Sequence, residues 1–251
     1  MRIHLTVIFN THGTADDAKR LVPYIKDCDL FIPEITNWHH IFRNAIYRLS
    51  RNELSLQDFK EKYIRPDGWS EDTYYGVLYK AIYEYQPEIY IVEPSRNAGL
   101  MTVKTNLDTR RHLRELLEDS DASKAMKELR IFFSKECSSN RKREAYLTHN
   151  FKSRITKRIG RSKKLLPKES VNVLMVIGVG HEAIFENLAF QIKGTVEKIV
   201  IDGQNHLDCH GNLQKLSALR RKGIAEHYSP SDEELLLFLF PGGSIPSPSL
   251  S

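Results

Sequence analysis

Two histidines and several carboxylates stand where the apolar runs of this chain end. The run Ile3 to Phe9 is followed by Asn10-Thr11-His12, the run Leu30 to Ile35 carries Glu34, and Glu88 to Val92 is closed by Glu93. Val171 to Val179 leads into Gly178-Val179-Gly180-His181, and the last such run ends in Asp202. Imidazole nitrogens and carboxylate oxygens in one crevice have two uses. They can hold a divalent metal ion, for which His12, Glu34 and His181 are the expected ligands. They can also do general acid and base work without a metal, with Glu34 or Glu93 as the base. A lone His or Glu at a strand end is more often a cap or a hydrogen-bonded turn residue. Four at matching positions favour a shared site.

A second set lies in Arg143-Glu144-Ala145-Tyr146-Leu147-Thr148-His149-Asn150. Arg143, Leu147 and Asn150 fall at i, i+4 and i+7, so on a helix they share a face, with Leu147 as the anchor. A guanidinium and an amide there are expected to hold a carboxylate or steady an oxyanion. Gly178-x-Gly180 also invites a dinucleotide reading, with Asp202 as the ribose acid. The third glycine is missing and His181 occupies the turn, so that reading ranks low.

These residues need a scaffold that brings distant segments to one edge. Ile3 to Phe9 is a short β-branched and aromatic run bounded by turn residues, which predicts a strand. Ala15 to Lys26 has Ala18, Leu21, Val22 and Ile25 at helical spacing, with Thr14 as the N-cap and Asp16 and Asp17 in the first turn. Leu30 to Ile35 reads as a second strand in which Pro33 suits an edge position or the strand's end. A tyrosine-rich helical insertion is expected from about 39 to 85, then a third strand over Glu88 to Val92. Leu107 to about Phe151 reads as two charged helices broken near Ser138, Ser139 and Asn140. Val171 to Val179 is an apolar run but for Asn172, as a strand buried on both faces of a parallel sheet would be. A helix over Gly180 to Gln191 and a fifth strand over Glu197 to Asp202 follow. Beyond Gln204 two more helices are expected, the second over Ser231 to Phe240 with Ser231 or Asp232 as its cap.

This alternation predicts an α/β fold: a mostly parallel sheet of about five strands, helices on both faces, and a helical insertion after the second strand. Residues 1–240 are expected to form a single domain and 241–251, rich in Pro, Gly and Ser, a disordered tail. In such sheets ligands bind beyond the carboxyl ends of the strands, where the histidines and acids collect.

With 251 residues, 41% of them hydrophobic, the chain can bury a sizeable core. Three cysteines, Cys28, Cys137 and Cys209, form no C-x-x-C pair, which argues against a disulfide framework or a zinc ribbon. The opening stretch is too short and too broken for a signal peptide, and no segment approaches the roughly 18 to 20 apolar residues of a membrane span. A cytoplasmic protein is expected. The net charge of +5 is modest but uneven. Lys152, Arg154, Lys157, Arg158, Arg161, Lys163, Lys164 and Lys168 crowd one segment that would attract phosphate or an acidic surface. The plainer reading is a solvated helix end and loop, since no aromatic residue besides Phe151 interleaves the cluster.

At these motifs the chain resembles the superfamily that groups erythromycin esterases, ChaN-like haem-binding lipoproteins, TraB/PrgY pheromone-shutdown proteins and the Tiki metalloproteases. The likeness spans roughly Ile3 to Asp202. The family's early G-x-x-H is similar to Phe9-Asn10-Thr11-His12, with Phe9 in place of the glycine. Its acid at the close of the second strand matches Glu34. Its helical R-D-x-x-M-x-x-N resembles Arg143 to Asn150, with Glu for Asp and Leu for Met, and its late G-x-G-H matches Gly178 to His181 without departure. Glu93 is placed like a further strand-end acid. The resemblance implies hydrolysis of ester or peptide bonds, in some branches with a divalent metal, while other branches bind haem or have no established chemistry.

The favoured expectation is a hydrolase acting on a small-molecule or peptide substrate. Glu34 or Glu93 activates water, His12 and His181 bind a metal or shuttle protons, and Arg143 with Asn150 steadies the oxyanion. The alternative is a non-catalytic module that holds a small ligand or partner in the same crevice. Nucleic-acid binding through 152–168 ranks third. Sequence alone leaves the oligomeric state and the substrate open.

Overall fold

The computed structural model describes residues 1–10, 14–35, 39–64, 72–93, 103–118, 122–192, 194–201, 215, 218–219, 222–224 and 228–240. His12, Asp202, Cys209 and the expected tail at 241–251 lie outside them. Residues 1–240 were expected to form one domain; the chain gathers into two compact units, Met1–Ser95 with Tyr146–Gly203 and Arg96–Ala145 with Gln204–Ser251.

The first unit is built on five parallel strands: β1 (Arg2–Asn10), β2 (Leu30–Ile32), β3 (Glu88–Ile89), β4 (Ser170–Gly178) and β5 (Thr195–Ile201), in the spatial order β3-β2-β4-β1-β5. The fold is α/β, as the alternation of elements predicts. Helices α1 (Ala15–Asp27), α2 (His40–Ser50), α3 (Leu56–Tyr63) and α4 (Tyr74–Tyr85) precede β3. Helix α7 (Phe151–Gly160) precedes β4, and α8 (Phe185–Gln191) precedes β5.

Strand pleating sorts the core into two layers. Ile8, Phe31, Leu174 and Val176 face α1 to α4. Leu5, Val7, Phe9, Ile32, Val173, Met175 and Ile177 face the other way, against Phe151, Ile155 and Ile159 of α7 and Leu188 of α8. Nearly every side chain of β4 from Val171 onward is buried, which is why its sequence shows no alternation. The three apolar residues of α7 have no exposed surface, and each contributes about 1.5–3 kcal/mol by burial.

Several boundaries follow from local chemistry. Thr14 caps α1 with a full capping box: its hydroxyl accepts from the Asp17 N–H, and the Asp17 carboxylate accepts from the Thr14 N–H. Strand β2 stops at Ile32 because Pro33 has no N–H to offer a ladder. Pro33 thus falls after the strand, and β2 is interior, between β3 and β4. Since β2 is the one strand β3 pairs with, the short β2 also shortens β3; one further bond, Tyr90 N–H to Phe31 O at 2.9 Å, extends the pairing. The sheet's other edge, β5, begins two residues earlier than its apolar run suggests.

The second unit contains α5 (Val103–Glu118), most of α6 (Ala122–Thr148) and α9 (Asp232–Leu239). The break expected near Ser138 to Asn140 is absent: α6 runs through it. Phe133 and Cys137 before it and Arg143 and Leu147 after it continue the buried face, and that packing outweighs the weak helix propensity of two serines and an asparagine. Leu113, Leu129, Phe132, Phe133, Leu235 and Phe238 form this unit's core.

Arginines hold both ends of α9. Arg110 of α5 is buried, pairs with Glu136 at 3.2 Å and donates to the Phe238 carbonyl, while Arg114 donates to Leu239 O at 2.9 Å. These are carbonyls of the helix's last turn, which no intrahelical N–H satisfies. At the other end Arg130 donates to Pro230 O at 2.7 Å and pairs with Asp232.

Candidate functional site at the sheet rim

Because all five strands are parallel, their carboxyl ends share one rim. The order β3-β2-β4-β1 places the chain after each of these strands side by side: Glu93, Glu34, Gly178 with His181, and Asn10. Neighbouring strands lie about 4.8 Å apart, so consecutive members of this row come within side-chain reach. Three separate stretches of sequence, around 34, 93 and 181, thereby follow adjacent strands at one rim.

The closest described contact in the row joins β2 to β4. Phe31 pairs with Leu174 and Ile32 with Met175, so Glu34, two residues on, is level with the last residues of β4. Its Oε2 accepts a short hydrogen bond from the Gly178 N–H. Gly178 is in ordinary extended backbone, and what its missing side chain provides is room. A Cβ there would stand 3.2 Å from Glu34 Oε2, tighter than normal contact, whereas a Cβ at Gly180 would meet nothing within 4 Å. The first glycine of G-x-G-H thus makes space for a carboxylate. That disfavours the dinucleotide reading, because an anion already occupies the place where a pyrophosphate would lie.

His181 follows three residues later, in a stretch of 3₁₀ turns over Val179–Ile184 that leads into α8. It breaks their geometry with φ −103° and ψ 15°, in the bridge region where many active-site residues sit, and it is only 8% exposed. Its neighbour Glu182 points elsewhere, pairing with Lys198 of β5 at 2.5 Å. Glu93 is 2% exposed although it lies beyond the end of β3. An ionisable side chain withdrawn from water to that degree needs partners, and neither Glu93 nor His181 is without one.

Helices bring two further groups to this rim. A helix that crosses back between parallel strands starts at their carboxyl ends, so the first turns of α1 and α4 sit there. Asp17, in the first turn of α1, is 2% exposed, and the Asn10 amide donates to its carbonyl at 3.4 Å. Tyr74 opens α4 behind its cap, Thr73, and is 5% exposed. Burial pushes its hydroxyl well above the ordinary tyrosine range, and the charges of Glu34 and Asp17 add to the effect, so it stays a neutral donor. Neither Asp17 nor Tyr74 is singled out by the sequence reading. The available signal was their position one to three residues after a Thr cap, in helices that must begin at the rim.

Two expected members belong to α6 and the residues just after it. Arg143 is buried on α6 within the second compact unit. The shared face proposed for Arg143, Leu147 and Asn150 loses its last member because α6 ends at Thr148. Asn150 links α6 to α7 in the left-handed region (φ 49°), is exposed, and has its Nδ2 2.9 Å from His149 Nε2. His12 lies outside the described residues. Among the described residues no three His, Cys, Asp or Glu side chains converge as a metal-binding set.

The basic segment is partly structural. Arg154 donates to Val92 O at 2.9 Å and Tyr146 O at 2.8 Å, and Arg158 binds Glu88 and Ile89 O. These arginines clamp β3 and the chain leading to Glu93, covering a sheet edge that would otherwise expose unpaired carbonyls. Lys164 donates to Gln86 O and Lys168 pairs with Asp29.

No family model matches the chain, and neither the comparison with curated proteins nor that with solved structures found a match. No helix among the described residues is long and apolar enough to cross a membrane.

Proposed function

We propose that the chain is a hydrolase of ester or peptide bonds whose site is the rim formed by β3, β2 and β4. The observation that carries this reading is the placement of Glu93, Glu34 and His181 after three adjacent parallel strands, with Glu93 and His181 almost wholly withdrawn from solvent. The motif resemblance to the erythromycin esterase, ChaN, TraB and Tiki superfamily supports it independently.

Glu93 acts as the general base. It takes a proton from water as the oxygen adds to the substrate carbonyl, and His181 donates a proton to the leaving oxygen or nitrogen as the carbon–heteroatom bond breaks. Glu34, with one oxygen held by the Gly178 N–H, fixes the turn that carries His181.

The test is turnover of a panel of esters and peptides by wild type, Glu34→Gln and His181→Ala, with bound metal measured on the purified protein. The reading expects cleavage by wild type and a loss of about 10²- to 10⁴-fold in His181→Ala. A wild type that cleaves nothing, yet retains a small molecule through purification, would favour the binding-module alternative.

A further inference from the structure

Helix α7 divides its cations into two groups. Arg154, Arg158 and, just beyond the helix, Lys164 and Lys168 are committed to internal contacts. Lys152, Lys157, Arg161 and Lys163 are all exposed, and none has an ion-pair partner among the described residues. Lys157 and Arg161, four residues apart, share one side of the helix about 6 Å apart along the axis, while Lys152 stands on the opposite flank. Between them the outward face shows Ser153, Thr156 and Gly160, small and polar, with no carboxylate.

An aromatic ring flanks this strip, although none is near it in the sequence pattern of the helix. Tyr146, 48% exposed at the end of α6, lies with its ring 5.0 Å from the Arg154 guanidinium. Its phenol is thereby held in one orientation while half its surface remains open.

We propose that this face binds single-stranded nucleic acid through its phosphate backbone, with Tyr146 as a stacking platform for a base. Uncompensated cations on an exposed surface neutralise phosphates, and an exposed aromatic beside them accepts any base. An anionic membrane is the poorer match. Phe151, Ile155 and Ile159 are wholly buried, so α7 has no apolar face to insert. A duplex would not use the exposed ring.

The experiment is fluorescence anisotropy of the full chain with labelled oligouridylate between about 50 and 200 mM salt. Binding is expected to fall with a log–log slope near −3, from about −0.7 per phosphate for four contacts. Changing Lys152, Lys157, Arg161 and Lys163 together to Gln should weaken binding at least about tenfold without moving the melting temperature, because none of the four holds the fold together. A variant with Lys19, Lys26, Lys62 and Lys80 changed to Gln removes the same charge elsewhere and should bind like wild type. Tyr146→Ala should cost about tenfold. The proposal is overturned by undetectable binding at low salt or by equal loss in the two quadruple variants. Equally effective competition by polyglutamate, or binding of phosphatidylserine vesicles in preference to oligouridylate, would also overturn it.

Discussion

At the residue scale, the site depends on small clearances and on burial. Gly178→Ala tests the first. The backbone there suits any residue, but the added methyl would press on Glu34 at 3.2 Å, so the carboxylate must shift by a few tenths of an ångström. The expected outcome is a folded protein with a near-normal melting temperature and reduced turnover. The same methyl at Gly180 meets open space and should change neither. Burial also sets the cysteine chemistry. The Cys28 thiol is pushed up to about 12 by desolvation, with Asp29 adding to it, and its Sγ contacts Ile25 O at 3.3 Å. Cys28 and the buried Cys137 should therefore resist iodoacetamide at pH 8 in the native protein and react once it is unfolded, which peptide mass mapping would show. Glu34, Glu93 and His181 were legible as strand-end residues. Asp17 and Tyr74 were not, because they stand on helices and their approach to the rim follows from the direction in which those helices run.

At the element scale, caps and clamps set the boundaries, and they were legible to the degree that their chemistry is local. Thr14 before α1 and Ser231 before α9 were both readable, since a capping box needs only the residue three positions on. Ser231→Ala should cost about 1 kcal/mol in urea unfolding. The same cap carries a pH dependence. Burial alone would raise the Glu234 pKa, but the Ser231 N–H, the Tyr228 hydroxyl and Lys222 outweigh it and hold it below the usual carboxylate value. A depressed folded value stabilises above the unfolded value of about 4.5 and is lost as pH falls through the folded one. A fall in stability below that pH should therefore be smaller in Glu234→Gln. The clamp on β3 was not legible, because Arg158 and Glu88 are far apart in sequence and look like surface charges. Arg158→Ala should destabilise by about 1–3 kcal/mol, leaving Glu88 and Ile89 O without it, whereas Lys157→Ala should stay within about 0.5 kcal/mol. The continuity of α6 was hidden for the opposite reason: Ser138, Ser139 and Asn140 read as a break, and the packing that overrides them is tertiary.

At the scale of the whole molecule, the parallel sheet was legible because β4 is apolar without a break from Val173 to Ile177 and β1 from Val7 to Phe9, and such runs point to strands with both faces covered. Spatial order was not legible. Nothing in the sequence says that β4 inserts between β2 and β1, yet that insertion is what sets Gly178, at the start of the turn that carries His181, beside Glu34. The two most buried strands, β1 and β4, should be the last to exchange their amide protons, and β3 among the first of the sheet. The central claim is that the rim residues act as one unit, and a double-mutant cycle on kcat/KM with Glu93→Gln and His181→Ala measures it directly. A shared site predicts that the double variant loses scarcely more than the worse of the single variants, with all three folded. Additive losses, or turnover that neither substitution alters, would contradict it.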